Sequence, residues 1–257
     1  MDGVEQFAIE TENLAVGYGD RIVQQGLDLR IRRAEIFAIL GGSGCGKSTV
    51  MRTLVGLVPP VAGRVTLLGQ LFAEAGREPD ERPALLRHLG VMFQNGALFG
   101  SKTLLENCAL PQEALTSRTP EEIEKVSREK LADVGLADFA DFMPSEISGG
   151  MRKRAAIARA LVLDPAVLFL DEPSAGLDPV TSAGLDRLIL DIRERRGTSI
   201  VLVSHELPSI FAVADRALFL DRETRTAIAC GAPADLRDNS PHQAVRAFFN
   251  RTPEDRI

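Results

Sequence analysis

Apolar and polar positions near the start of the chain alternate: Phe7, Ile9 and Thr11 do so, as do Leu27, Leu29 and Ile31. Together with GRVTLLG (Gly63 to Gly69), bracketed by glycines, they predict short strands of an antiparallel layer. Between them Glu35 to Leu40 is almost continuously apolar and runs into a glycine-rich loop, the pattern of a parallel strand covered on both faces. The period then lengthens. Thr119 stands as a cap, Pro120 at the first helical position and acids in the first turn; Ile123, Val126, Leu131 and Val134 make a stripe that Gly135 ends, which predicts a helix. A second helix is expected to begin after Ser148. The apolar runs Ala166–Leu170 and Ser199–Val203 flank a third, capped by Asp178-Pro179, running to Arg196 and closed by Gly197. Strand, helix, strand implies a parallel sheet and an α/β fold. Arg216–Asp221 and Thr226–Gly231 read as a hairpin or edge strands. Ser240 to Gln243 has capping-box spacing ahead of Val245, Phe248 and Phe249, which predicts a short amphipathic C-terminal helix.

Composition narrows the class without changing this picture. The 257 residues are compatible with one large α/β domain. Hydrophobic residues make up 45% and charged residues 26%, average globular usage. A formal net charge of -6 argues against nucleic acid as a partner and against unaided binding to anionic lipid. The longest apolar runs are strand-length, far short of the roughly 20 residues a bilayer requires. The first ten residues lack a basic start followed by an apolar stretch, so no secretory signal is expected. Three widely spaced cysteines, Cys45, Cys108 and Cys230, fit a reducing cytosol.

The sharpest chemical pattern follows the Glu35–Leu40 strand. Gly41, Gly42, Ser43, Gly44, Cys45, Gly46, Lys47, Ser48 and Thr49 satisfy GxxxxGK[ST], and apolar helix-like sequence comes after it, from Val50 to Leu57. Glycines let successive N–H groups turn toward one anion, and the helix N-terminus adds positive potential. Lys47 is expected to reach the outer phosphates and Ser48 to offer its hydroxyl to Mg2+. Local positive potential is expected to favour the thiolate of Cys45, although a small space-filling role is the better reading of that residue. Asp171 and Glu172 end a buried strand, on the edge where parallel sheets bind ligands. They read either as a solvated strand end before a Pro turn or, beside a phosphate loop, as metal holder and water-activating base. His205 ends another apolar strand on the same edge, either as a structural ring or as a γ-phosphate contact.

Glu146 to Arg154, with Ser148, Gly149 and Gly150 at its centre, lies between the phosphate loop and the Asp171-Glu172 pair. It resembles the ABC ATPase signature usually written LSGGQ, with Ile147 for Leu and Met151 for Gln. On residues alone, Ser148 and two exposed amides at a helix start form an anion site. One chain is thus expected to carry two phosphate sites that do not face each other, and the simplest resolution is a dimer. The resemblance covers nearly the whole chain. It implies a P-loop NTPase core with an N-terminal antiparallel β layer and a helical signature subdomain, which is the ABC ATPase fold. It also implies ATP and Mg2+ as cofactors, with a second copy of the chain as partner in a head-to-tail ATP sandwich. Tyr18 is similar to the aromatic that stacks on adenine, and Gln94 to the lid glutamine that reports metal and transporter contact. Ser174 to Asp178 is similar to the loop coupling the two sites, and His205 to the switch histidine. The catalytic set so implied is Glu172, His205 and Lys47, with Ser48, Gln94 and Asp171 at the metal.

Longer strings, from Phe93 to Cys108, Pro144 to Arg154 and Asp171 to Ile189, resemble the ATPases of Mla and Mce-associated lipid transporters. That resemblance implies an MlaE-like integral-membrane permease and an MCE-domain lipid-binding protein as partners. The expected place is cytoplasmic, peripheral on the inner face of the plasma membrane through the permease. Gly96 to Phe99, following Gln94, is the most informative part, since the resemblance implies that this region adjoins the permease-contacting groove. The expected organisation is one domain over 1–257. Within it, 1–92 and 162–236 form the RecA-like core with its antiparallel layer, 93–161 the helical subdomain and 237–257 a C-terminal helical tail. An ATPase of an amino-acid or glycine-betaine type importer is the alternative within transport. A non-transport ABC ATPase is the alternative outside it, although the coiled-coil insertion or second cassette of such proteins is missing from the sequence.

Overall fold

A computed structural model describes residues 6–19, 21–77, 79–80 and 82–252. The reading of the extreme N-terminus and the last five residues of the tail therefore lie outside the described residues. Two sheets organise the chain. The first is antiparallel, in the order β2-β1-β5-β6 with β3 also paired to β1. Its strands are β1 (Phe7–Tyr18), β2 (Arg21–Leu27), β3 (Arg30–Arg32), β5 (Ala62–Leu67) and β6 (Gln70–Glu74). The predicted alternation at 27–31 is thus divided between the end of β2 and β3.

The second sheet runs β11-β10-β4-β9-β8-β7, formed by β4 (Ile36–Gly41), β7 (Leu89–Met92), β8 (Val167–Asp171), β9 (Ser199–Val203), β10 (Arg216–Leu220) and β11 (Ala227–Gly231). All neighbours are parallel except β10 and β11. The expected hairpin is therefore present, but of its two strands only β11 is an edge; β10 is an interior strand beside β4. Continuous apolar character in β4, β8 and β9 has a direct cause. Phe37, Ile39, Val167, Phe169, Val201 and Val203 enter the core under the antiparallel sheet. Ile36, Leu168, Leu170, Ile200 and Leu202 enter the opposite core, with helices. Strands covered on both faces need no polar side.

Helices connect the strands: α1 (Lys47–Leu54), α2 (Arg82–Leu86), α3 (Leu104–Leu115), α4 (Pro120–Asp133), α5 (Gly149–Leu161), α6 (Pro179–Arg196), α7 (Leu207–Val213), α8 (Pro233–Asn239) and α9 (Gln243–Asn250). Thr119 and Glu122 close a capping box at α4. Asp178 caps α6, and Gly197 ends it in the left-handed region. Helix α9 exists without the expected capping box: Ser240 Oγ accepts from the His242 N–H, and the N-cap, His242, makes no side-chain cap. Among the described residues no helix is long and apolar enough to cross a membrane.

Strand register fixes what the sheet edge carries. Met92 lies opposite Leu170, Asp171 opposite Val203, and Leu40 opposite Phe219. The segments leaving β4, β7, β8 and β9 therefore emerge together, bringing the glycine loop, Gln94, Asp171-Glu172 and His205 to one side.

Candidate functional site

Strand β4 delivers Gly41 with φ 144, and the loop closes at Gly46 with φ 106, both conformations that favour glycine. A Cβ on Gly41 would stand 2.4 Å from the Leu220 carbonyl oxygen, and one on Gly46 2.5 Å from Val23. The loop is thus wedged between β10 and β2 as well as held open for an anion. Gln24, fully buried, supports it from below by donating to the carbonyls of Cys45 and Asp221, both at 2.7 Å. Lys47 Nζ donates back to Gly41 O at 2.8 Å and Gly42 O at 3.1 Å, so its ammonium already lies over the loop. Gly42, Ser43, Gly44 and Ser48 are exposed, while Thr49 is buried.

Cys45 corrects one expectation. Its side chain is in the core under the loop, and burial pushes the thiol up, outweighing the opposite pull of Lys47. It is a packed thiol rather than a favoured thiolate.

A cleft of about 340 Å3 lies beside the loop, walled by Tyr18, Arg21, Val23, Gly44, Gly46 and Lys47 to Thr49. Tyr18 ends β1 and remains 49% exposed. Arg52 donates to its hydroxyl at 3.2 Å, and this bond holds the phenol below its ordinary pKa. Arg52 was not anticipated from sequence; its only signal is its place one turn beyond the loop.

Glu172 is buried at 8% exposure with φ 50, a left-handed conformation unusual for a side-chain-bearing residue. Three contacts hold it there. Its N–H donates to Val203 O at 2.8 Å, its carbonyl accepts from Lys153 Nζ at 2.9 Å, and its Oε1 meets His205 Nδ1 at 2.8 Å. Its other oxygen, Oε2, is buried without a partner. An orphaned carboxylate oxygen in a strained, over-determined residue is a group built for a ligand. Burial, then the neighbouring Glu172 charge, raise the pKa of Asp171, partly offset by Arg52, Lys153 and Lys47. A cation or phosphate-bound metal there would relieve that penalty. The Asp171 carboxylate and the Ser48 hydroxyl are hard oxygen donors of the type Mg2+ takes when it shares phosphate oxygens, so the residues fit the expected metal. His205 is 57% exposed at its side chain, with Nε2 3.5 Å from Glu206.

Gln94 is exposed just past β7, and its carbonyl accepts from Lys153 Nζ at 2.5 Å. Further along this loop Arg159 donates to the carbonyls of Ala97 and Gly96. Buried Asn107 accepts from Phe99 N–H and donates toward the carbonyls of Phe99, Lys102 and Thr103. Phe99 itself is left 56% exposed. None of Lys153, Asn107 or Arg159 was singled out from sequence; a basic run on a helix reads as a solvated face.

Ser148 caps α5 by accepting from Met151 N–H at 3.2 Å, with Gly149 exposed beside it. Gly150 departs from expectation. It is buried, and a Cβ there would stand 2.6 Å from Thr181, so its absent side chain serves the packing of α5 on α6. Asp178 accepts from Val180 N–H, Thr181 N–H and the Thr181 hydroxyl, which hold its pKa low. The loop cleft and the start of α5 thus stand on different elements of the same chain.

The family described as ABC transporter is matched over residues 24–175. The chain is 38% identical over 243 residues to the probable ribonucleotide transport ATP-binding protein mkl of Mycobacterium tuberculosis H37Rv, covering 95% of this chain and 66% of that one. It thus spans about two thirds of that relative's length. It is 33% identical over 242 residues to the intermembrane phospholipid transport system ATP-binding protein MlaF of Escherichia coli K12, covering 94% and 88%. Among solved structures, cbiO1 of Clostridium perfringens, part of the ABC transporter complex cbiONQ, superposes with TM-score 0.80 at 28% identity, covering 91% of this chain and 92% of that one. The ATP-binding cassette MJ0796, dimeric and bound to ADP and Pi, superposes with TM-score 0.77 at 28% identity, covering 87% and 98%.

Proposed function

Because this chain belongs to the ABC transporter family and is an ATPase of it, we propose that it drives transport of phospholipid or a related lipid as one of two identical engines. The observation that carries the engine is the buried, unpartnered Oε2 of Glu172, held beside His205 on the sheet edge that also bears the Lys47 loop.

In this reading Tyr18 stacks on adenine and the loop from Gly41 to Thr49 cradles the phosphates. Lys47 moves its ammonium from Gly41 and Gly42 onto the outer ones. Ser48, Asp171 and Gln94 would hold Mg2+, which would supply positive charge against the phosphates. Glu172 Oε2 accepts a proton from the attacking water, while His205 keeps the carboxylate oriented through Oε1 and lies near the γ-phosphate. Ser148 and the amides of Gly149 and Gly150 belong to the opposite copy's nucleotide, since none of the three lines the loop cleft. Asp178 lies on the segment passing between the two sites. The MJ0796 dimer supports such a pair.

The division of labour follows the chain. Residues 1–92 and 162–236 form the nucleotide-binding core, 93–161 the helical part and 237–257 the tail. Phe99, exposed on a loop pinned by Asn107 and Arg159, faces an MlaE-like permease that carries the chain on the cytoplasmic side of the inner membrane, with an MCE-domain protein beyond it. The MlaF relative supports lipid as cargo; the name of mkl favours a polar one.

Two measurements separate these claims. Glu172→Gln lowers kcat by about 10^2 to 10^4-fold, keeps ATP bound and elutes as a dimer by light scattering. Rapid turnover by that variant overturns the assigned base, and a monomer under saturating ATP overturns the sandwich. Isolating the intact complex and identifying its cargo by mass spectrometry decides the substrate. Bound phospholipid with an MCE protein supports lipid transport; ribonucleotide, or a periplasmic solute receptor, refutes it.

A further inference from the structure

Lys153 sits on the second turn of α5, outside the residues that bind nucleotide in the reading above. Yet its ammonium donates to two backbone carbonyls of the site: Gln94 O at 2.5 Å and Glu172 O at 2.9 Å. These are the residues leaving β7 and β8, adjacent parallel strands. Burial lowers the pKa of this ammonium, partly offset by the charges of Glu172 and Asp171.

A lysine has three N–H donors on a long stem and no acceptor. Here two of the three are spent on carbonyls whose residues are otherwise unrelated in sequence. At Glu172 the acceptor belongs to a residue with φ 50, where the backbone is strained and held by its surroundings. The carbonyl bond and the Glu172 N–H bond to Val203 together fix the peptide units on both sides of the carboxylate-bearing Cα. At Gln94 the same cation holds the start of a loop whose next residues are held by Arg159, from the same helix. One rigid element, α5, therefore grips the loop after β7 and the backbone of Glu172 together.

We infer that Lys153 is a positioning residue for hydrolysis, locking the Glu172 backbone in its working conformation and making that lock depend on the seating of the Gln94 loop. This rests on Glu172 as the water-activating base. Displacing the Gln94 loop removes one of two acceptors from the ammonium, loosens its grip on Glu172 and lowers turnover. Because Lys47, the loop glycines and Tyr18 are all supplied by other elements, nucleotide affinity is predicted to be independent of Lys153.

The test uses the full chain with Lys153→Met, Lys153→Gln and Lys153→Arg, alongside Glu172→Gln. Lys153→Met, which keeps the stem and loses both donors, lowers kcat by about 10 to 100-fold, the range a misplaced reacting group produces, with KM and ATP affinity within about 3-fold of the parent. Lys153→Arg restores most of the turnover. Combined with Glu172→Gln, Lys153→Met causes no further loss, because both changes act through one carboxylate. Should Lys153→Met melt below the assay temperature, Lys153→Gln is read in its place against the same numbers.

Unchanged kcat in the neutral variant, while Glu172→Gln is inactive, overturns the inference and leaves the assigned base intact. A parallel loss of ATP affinity overturns it as well, since that is the signature of general disruption. Rapid hydrolysis by Glu172→Gln, in contrast, strikes the base assignment itself.

Discussion

At the scale of single residues, Tyr18 offers the cleanest measurement, because it is the only Tyr and there is no Trp. Its phenol is held below the ordinary value chiefly by the Arg52 hydrogen bond. Phenolate absorption is therefore expected to appear at lower pH than for free tyrosine, and Arg52→Ala to move that titration upward, toward about 10. An unmoved curve in the variant would show that Arg52 does not govern the phenol. Saturating ATP should also change Tyr18 emission, since its ring walls the loop cleft. Unlike Tyr18 and Arg52, the positions of Lys47, Ser48, Asp171 and Glu172 were legible from spacing, since each stands at or just past the end of an apolar strand. What spacing cannot show is the direction a side chain takes from the backbone. Cys45 and Gly150 both stand inside phosphate-binding motifs, yet one is turned into the core and the other is packed against Thr181. Each owes that placement to strands or helices distant in sequence.

At the scale of elements, end signals were readable where the chain satisfies itself locally. Thr119 with Glu122, and Asp178 with Gly197, close their helices by bonds within a few residues. The same signal stands at α3, where Thr103 and Glu106 form a capping box, but nothing after it marks a helix, since the segment it opens has no clear apolar stripe and contains Pro111. Ser240 failed in the opposite sense, its hydroxyl taking the His242 N–H instead. The tertiary task of α3 was invisible for a further reason. Asn107 makes four hydrogen bonds to the loop over residues 99–103 while wholly buried, and amide partners of that kind carry no periodic signature. Replacing it with Leu takes that partner from the Phe99 N–H and the Lys102 carbonyl, while the carbonyls of Phe99 and Thr103 keep backbone donors, at a cost of about 1–3 kcal/mol. We expect Asn107→Leu to lower the urea midpoint of the isolated chain with its basal ATPase retained and, if Phe99 meets the proposed permease, to weaken stimulation by it because Phe99 is no longer held in place. Full stimulation in the reconstituted transporter would exclude that role for the loop.

At the scale of the whole molecule, the C-terminal segment decides between a tail that belongs to the cassette and one that serves its partners. Val245 and Phe249 are buried, and Phe248 packs edge-on against Phe219 of β10. Phe249 lies 5.6 Å from Phe211 of α7. Helix α9 thus covers the same core that receives Ala38 and Leu40 of β4, the strand feeding the phosphate loop. Burial of two large apolar side chains contributes about 3–6 kcal/mol, an upper bound because the unfolded chain hides part of that surface. A chain ending at Ser240 is therefore expected to lose about that much stability in urea and to expose Phe211 and Phe219. ATP affinity below the new melting temperature should remain near that of the full chain, since no residue of α9 lines the nucleotide cleft. If the truncated chain instead kept full stability while losing ATP-dependent dimerisation, the segment would have to act on the second copy, and its docking on β10 and α7 would not be what holds it in place.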